Sequence, residues 1–405
     1  MARTVFRGGW VFDGTGAPPA PADVAVEDGR IVDVASGLDG DEAVDLAGGT
    51  LLPGLFDCHV HVGVSHVDVW RLAHQPVSYR ILDAARNMAR TLDAGITSVR
   101  DAGGADIGIR QARDEGLIRG PRIQVSLGMI SQTGGHGDDW LPSGVMVSLL
   151  ARMPGIPETI VDGPDEMRRV VRTLIRNGAD VIKVATSGGV LSPRDKPSHA
   201  HLRPAELEIL VDEARAAGIF VMAHAQATDG IKNAIRVGIR SIEHGIFLDE
   251  EAIDLMLSHG TWLVPTLVAP QGVIDAADAG VEFAPGIVDK ARAVVETHRA
   301  AFGRAVEAGV RIAMGTDSGV TPHGRNLREL SLMAAGGMTG AAVLEATTRS
   351  AAQLLGVDDR LGTIEPGKVA DLVVVTGDPF EFATLPDRIA SVWQDGVRVG
   401  GPAPA

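Results

Sequence analysis

Apolar positions change their period twice along the chain. Residues 1–53 carry short stretches of alternating apolar and polar character, VFRGGWVFDG, DVAVEDGRIVDVAS and AVDLAGGTLLPG, separated by turn residues. Alternation of this kind marks half-buried strands. Asp28-Gly29, flanked by VAVE and RIVDV, predicts a two-residue hairpin. From Gly54 to about Val357 the pattern becomes compact apolar runs alternating with helical segments such as SYRILDAARNMARTLDAG and PAELEILVDEARAAG. Each helical segment is followed by glycine and an apolar run, the βα rhythm of a parallel barrel. The runs are GLFDCHV, GITSVRDAG, RIQVSLGMI, ADVIKVAT, IFVMAHA, SIEHG, WLVPTLV and RIAMGTD, as many as a TIM (β/α)8 barrel needs. Residues 358–405 return to alternation in KVADLVVVTGD and SVWQDGVRVG, with Asp395-Gly396 as a second hairpin turn. The expected α/β architecture is therefore a barrel over residues 54–357 and a small β-sandwich built from both termini, 1–53 and 358–405. No solenoid repeat interrupts it, and the only low-complexity stretch is the short tail GGPAPA.

A length of 405 residues suits one large barrel plus a smaller unit. The 50 glycines fit many tight junctions between strand and helix. A formal charge of −15 without a Lys/Arg cluster argues against a nucleic-acid partner, since neutralising phosphates requires clustered cations. Cys58 is the single cysteine, so no internal disulfide forms. The N-terminus lacks a charged and then apolar leader, and no apolar stretch approaches the roughly 20 residues that span a bilayer. These features predict a cytoplasmic protein with a small-molecule substrate and neither a nucleic-acid nor a membrane partner.

Chemistry gathers where the apolar runs end: His59 and His61 in GLFDCHVHVG, Lys183 in VIKVATSGG, His224 in GIFVMAHAQ, His244 in SIEHG and Asp317 in RIAMGTDSG. Side chains two apart in a strand share a face, so His59 and His61 can grip one ion. The rest open on the same barrel mouth, where such barrels place their catalysts. Lys183 cannot ligate as an ammonium, but burial among cations lowers its pKa, and the neutral amine can take up carbon dioxide. The resulting N6-carboxylated lysine can bridge two divalent ions. Asp317 is placed to touch a metal and accept a proton from its water, and His136 in SQTGGHGD to donate to a substrate carbonyl or carboxylate. Cys58, between Asp57 and His59, should face the helices as packing. A second HxH, His199-Ala200-His201, lacks a preceding apolar run and reads as loop or helix start. Arg194, Lys196, His323 and Arg325 lie in the fourth and eighth loops as candidate anchors for a substrate carboxylate.

In order along the chain, PGLFDCHVHVG, the Lys183 strand, HAQ, EHG, GTDSG and GTIEPGKVADLVVV resemble the signatures of the amidohydrolase superfamily. GGHGD, HAQATDGI and TPHGRNLREL resemble more finely its binuclear imidazolonepropionase-like branch, with prolidase-like and Arg/Lys carboxypeptidase-like dipeptidases and ochratoxin and phenylurea hydrolases as relatives. The resemblance implies a distorted TIM barrel with a two-part β-sandwich, and two zinc ions bridged by carboxylated Lys183 and a hydroxide. His59, His61 and Asp317 would hold the first ion, His224 and His244 the second. It leaves open a homo-oligomer, a common state of such relatives. Dipeptide-cleaving relatives carry a tyrosine two positions after the fifth-strand histidine, where this chain has Gln226. The only tyrosine, Tyr79, lies in the first long helical segment.

The expected function is a binuclear zinc amidohydrolase that cleaves a dipeptide or N-acyl amino acid by attack of the bridging hydroxide on the carbonyl. The alternatives are aryl amides, carbamates or ureas on the same centre, or a mononuclear cyclic-amide hydrolase or deaminase. A deaminase of this kind uses an acid in HxxE, whereas Ala225, Gln226 and Ala227 follow His224. A scaffold protein without metals is the non-catalytic alternative, and an intact ligand set speaks against it.

Overall fold

Asp28 and Gly29 take φ angles of 49° and 75°, the left-handed pair of a type I′ turn, and join antiparallel strands Asp23–Glu27 and Arg30–Ala35. The Asp395-Gly396 turn repeats this at 50° and 71° between strands Ile389–Gln394 and Val397–Gly400. The computed structural model describes residues 2–141, 143–150, 153 and 155–401, so the last four residues of the GGPAPA tail lie outside it. One six-stranded sheet draws on both ends of the chain: Thr50–Pro53 pairs antiparallel with Leu372–Val375 and parallel with Trp10–Val11. A four-stranded sheet built from Thr4–Arg7, Asp23–Glu27, Arg30–Ala35 and Glu42–Asp45 packs on it. Phe6, Val24, Ile31, Leu51, Leu372 and Val374 form the shared core. The two hairpin tips meet so closely that a Cβ on Gly29 would lie 2.9 Å from the carbonyl oxygen of Asp395.

The middle of the chain has a TIM-barrel-like α/β fold. Its parallel strands form two arcs, one of Arg122–Val125, Ile96–Asp101 and Leu55–Val60, the other of Met129–Ile130, Val181–Ala185, Phe220–Ala225, Ser241–His244 and Trp262–Val264. The third apolar run serves both arcs. It breaks at Leu127, whose φ is 68°, so its first half pairs with Ile96–Asp101 and its second with Val181–Ala185.

The eighth run, RIAMGTD, departs from expectation because it forms no continuous strand. Ile312 bridges Leu263 and Ser318 bridges Val60, both in parallel sense. The reason is local backbone geometry. Asp317 has a φ of 59°, which interrupts a regular pleat, and Gly315 packs so closely that a Cβ there would lie 2.4 Å from Val264 and 3.0 Å from His59. Hydrogen bonds from the amides of Cys58 to Met314 O, His61 to Ser318 O and Leu263 to Arg311 O still tie it beside Leu55–Val60 and Trp262–Val264.

Amphipathic helices cover the arcs. Pro164–Arg176 begins with proline and with Asp165 and Glu166 at its positive end, finishes on Arg176, and buries Met167, Val170, Val171 and Leu174. The expected helices appear as Val77–Asp93, with Tyr79 exposed, and Pro204–Ala216. Cys58 is fully buried in an apolar cluster with Phe56, Trp262 and residues of the helix Arg349–Leu355.

Candidate active site

His59, Lys183, His224 and His244 lie on the parallel strands, His61 directly follows the first of them and Asp317 sits in the irregular eighth segment, and each imidazole is hydrogen-bonded to a partner. His59 Nδ1 donates to Glu243 Oε2 at 2.7 Å, His61 Nδ1 to Gly103 O at 2.9 Å, and His224 Nε2 to Gly188 O at 3.1 Å. His244 Nδ1 is hydrogen-bonded to Thr266 Oγ1 at 2.7 Å. The remaining nitrogen of each ring is left for the cluster. Outer partners of this type fix the tautomer and aim of metal-binding histidines. Asp317 Oδ1 lies 3.2 Å from His61 Nε2 and 3.5 Å from His59 Nε2, and Lys183 Nζ lies 3.4 Å from His59 Nε2. Ligand atoms of His59, His244 and Asp317 all lie within 4.8 Å of one another. His224 joins through His244, with ring centroids 4.6 Å apart.

Electrostatics suit a cation. Burial, reinforced by neighbouring positive groups, pushes His59, His224 and His244 well below the usual imidazole range. Burial alone would raise Asp317, but the hydrogen bond from His61 and the surrounding His59, His61 and Lys183 hold its carboxyl well below the usual carboxylate range. Burial also pushes Lys183 down to about 8. Neutral imidazoles and an ionised carboxylate are the forms in which these groups bind metal; His59, His224, His244 and Asp317 already favour them, whereas His61, which burial would lower but the hydrogen bond and charge of Asp317 raise, must give up a proton to the ion. Nitrogen and carboxylate donors at this spacing fit a zinc-like divalent ion, and a buried, partly neutral lysine beside them fits a carbamate. His244 and Asp317, with φ of 72° and 59°, also hold left-handed backbone that costs about 1–3 kcal/mol each. Strain of this size persists where the surrounding structure over-determines it.

Above the cluster opens a cavity of about 710 Å³ with largely apolar walls. His136 and Gln226 line it, with His136 stacked on His224 at 4.0 Å and 16°. The Gln226 side-chain oxygen is buried without a partner. Trp70 and Trp140 line the cavity and remain about half exposed at its mouth.

Other sequence candidates lie elsewhere. Arg194, Lys196, His323 and Arg325 are not among the described residues lining the cavity. The Arg194 guanidinium sits 4.9 Å from the Trp140 ring centre and donates to Asp138 O, and Arg325 is exposed to solvent. His323 is buried beneath the strand that carries His59: its Nε2 donates to the carbonyls of His61 and Val64, and its Nδ1 pairs with Thr91 Oγ1. His199 and His201 do not line the cavity.

Sequence reasoning missed the groups that aim the ligands. Glu243 divides its carboxylate between His59 and Arg100, whose guanidinium donates at 2.9 Å. Asp57 receives Thr316, Asn326 and the His59 amide, and burial pushes it up to about 6. Glu243 sits next to the candidate ligand His244 in SIEHG, so charge inside a strand was the available signal.

The amidohydrolase family matches residues 50–400. Ochratoxinase from Aspergillus niger is 36% identical over 372 residues, 87% of this chain and 76% of that protein. A solved Xaa-Pro dipeptidase with methionine bound in its active site superposes with a TM-score of 0.90 at 34% identity, covering 98% of this chain and 100% of the other. A prolidase complexed with N-methylphosphonate-L-proline gives 0.89 at 35%, covering 99% and 100%. A family match over nearly the whole chain, with relatives this similar along their length, makes this chain a member of the amidohydrolase family.

Proposed function

We propose that this amidohydrolase uses two zinc ions to cleave the amide bond of a dipeptide or N-acyl amino acid with a bulky apolar group beside that bond. The observation that carries the reading is the convergence of His59, His61, His244 and Asp317, with Lys183 beside them, at the floor of the apolar cavity. His59, His61 and Asp317 would hold one ion, His224 and His244 the other, and Lys183 carboxylated on Nζ would bridge them. When bound, the ions supply an activated water and a polarised carbonyl.

The protein's own groups do the rest. Asp317 accepts the proton of the attacking water and returns it to the leaving nitrogen, so that water adds across the C–N bond and an acid and an amine result. His136 donates to the carbonyl oxygen as negative charge grows there. Gln226 offers an unpaired acceptor to a substrate N–H. The apolar walls gain roughly 25 cal/mol for each Å² of substrate they cover. A dipeptidase and a prolidase among the similar structures support a peptide-like amide.

One observation favours a second reading, a neutral aryl amide, carbamate or urea. Among the described residues that line the cavity, Lys183 is the only lysine or arginine. The deciding experiment is a rate screen, with zinc and bicarbonate supplied, that pairs each N-acyl amino acid with its carboxamide. Faster hydrolysis of the acids supports the first reading and equal rates the second. No hydrolysis of any amide, carbamate or urea sinks both.

A further inference from the structure

His136 is held on all sides except one. Its ring lies between the His224 ring and the backbone of Gly189, where a Cβ would stand 2.2 Å from His136 Cε1. Only glycine leaves room. Its Nδ1 is 2.9 Å from Ser192 Oγ and 3.7 Å from Asp195 Oδ2. The Ser192 hydroxyl has a single proton, and its other partners, Asp195 Oδ1 and Gly189 O, are both acceptors. That proton is therefore spent on one of them, and Ser192 Oγ must accept from His136 Nδ1–H. The tautomer follows from hydrogen-bond counting.

The loop that carries Ser192 and Asp195 is itself anchored. Lys290, on the helix Ile287–Ala308, donates through Nζ to the carbonyls of Gly189, Ser192 and Asp195 at 2.9, 2.6 and 3.2 Å. An ammonium has three protons, and here each finds a loop carbonyl. Asp195 is buried, its Oδ1 also takes the Gly189 amide at 3.2 Å, and its Oδ2 has no hydrogen-bond partner. That oxygen lies 3.7 Å from His136 Nδ1.

We propose that Ser192 and Asp195 are positioning residues for His136, with Lys290 as the clamp that holds their loop. The relay Asp195–Ser192–His136 keeps the proton on Nδ1, keeps the ring against Gly189, and leaves Nε2 as the one nitrogen turned to the cavity. The Asp195 carboxylate, with Oδ2 3.7 Å from Nδ1, backs the same edge of the ring. This inference rests on the reading of His136 as the carbonyl's donor.

The test uses the metal-loaded protein and two readouts. ¹⁵N spectra of histidine-labelled protein, with the His136 signals assigned by their loss in His136→Ala, should show a proton on Nδ1. Ser192→Ala should shift that signal and shorten the proton's exchange lifetime. In turnover, Ser192→Ala and Asp195→Asn should each lower kcat roughly tenfold to a hundredfold, as expected for a mispositioned group, with KM within about threefold and metal content unchanged. Neither should lower kcat further in a His136→Ala background. A bare Nδ1 in the wild type, or a further loss in that background, overturns the positioning role. Full kcat in His136→Ala alone overturns instead the reading of His136 as the carbonyl's donor, and the Nδ1 signal still decides the tautomer.

Discussion

Glu243 Oε2 sits 2.7 Å from His59 Nδ1, while its Oε1 receives Arg100 at 2.9 Å and the Ser241 hydroxyl at 2.5 Å. Arg100 and Glu243 are both almost fully buried, so the pair is a charged strut inside the barrel that aims a metal-facing histidine. Glu243→Gln keeps the shape and removes the charge. Metal affinity, read by competition with a chromophoric chelator, should fall about tenfold to a hundredfold, the usual cost of losing such a partner. Unchanged affinity would show that the strut serves the fold alone.

Lys183 leads to a pH dependence. An ordinary lysine is almost wholly charged at neutral pH, but a pKa of about 8 leaves roughly a tenth of it as free amine at pH 7 and half at pH 8. Carbamate formation needs that free amine. Reactivation of stripped protein by zinc should therefore require bicarbonate and speed up from pH 7 to pH 8.5. Lys183→Ala should lose most of its metal and nearly all turnover, with partial recovery in short carboxylic acids. A Lys183→Ala protein that keeps its metal and wild-type turnover contradicts the carbamate.

His323 should contribute to acid stability, alongside the other buried histidines, rather than to substrate binding. Burial holds it down to about 4, with Nε2–H spent on the carbonyls of His61 and Val64. A histidine depressed in the fold contributes stability fully above its unfolded pKa of about 6.5 and loses it as pH falls from there through about 4. The full effect is roughly 3 kcal/mol. Glutamine can keep a donor and an acceptor there without the proton uptake. Between pH 6.5 and 4.5 the Tm of His323→Gln should fall less steeply than that of the wild type, with KM nearly unchanged. Parallel Tm curves would remove His323 from acid sensitivity.

Arg194 and Arg325 should matter little for carboxylate substrates, contrary to the expectation from loop charge. Neither lines the cavity. Arg325→Ala should leave kcat/KM for an N-acyl amino acid unchanged. Arg194→Ala should cost no more than about fivefold, the worth of roughly 1 kcal/mol from its exposed packing on Trp140. A tenfold or larger loss that is specific to the acid over its carboxamide would restore either arginine as the anchor.

Residues at strand ends were legible because the signal is local. An apolar run followed by His59, His61, Lys183, His224 or His244 states both the strand and the face in adjacent letters, and the Asp-Gly turns state their own backbone. The eighth run reads as a strand because its apolar letters are ordinary, while the left-handed backbone at Asp317 and the close approach of Gly315 to Val264 and His59 belong to the folded chain and to no local pattern. Arg100 and Glu243, or Lys290 and the Ser192 loop, meet across more than 90 residues of chain, and no short pattern encodes such a meeting. In that loop the conspicuous charges, Arg194 and Lys196, are not among the described residues that line the cavity. The quieter Ser192 and Asp195 turn toward His136.

The central claim is a two-ion centre that hydrolyses amides, and elemental analysis coupled to turnover tests it most directly. Purified protein loaded with zinc and bicarbonate should hold two ions per chain, lose hydrolysis of an apolar N-acyl amino acid or amide as a chelator removes them, and regain it as zinc returns. A chain that binds one ion or none at saturation, or that keeps hydrolysing after both are removed, contradicts the account.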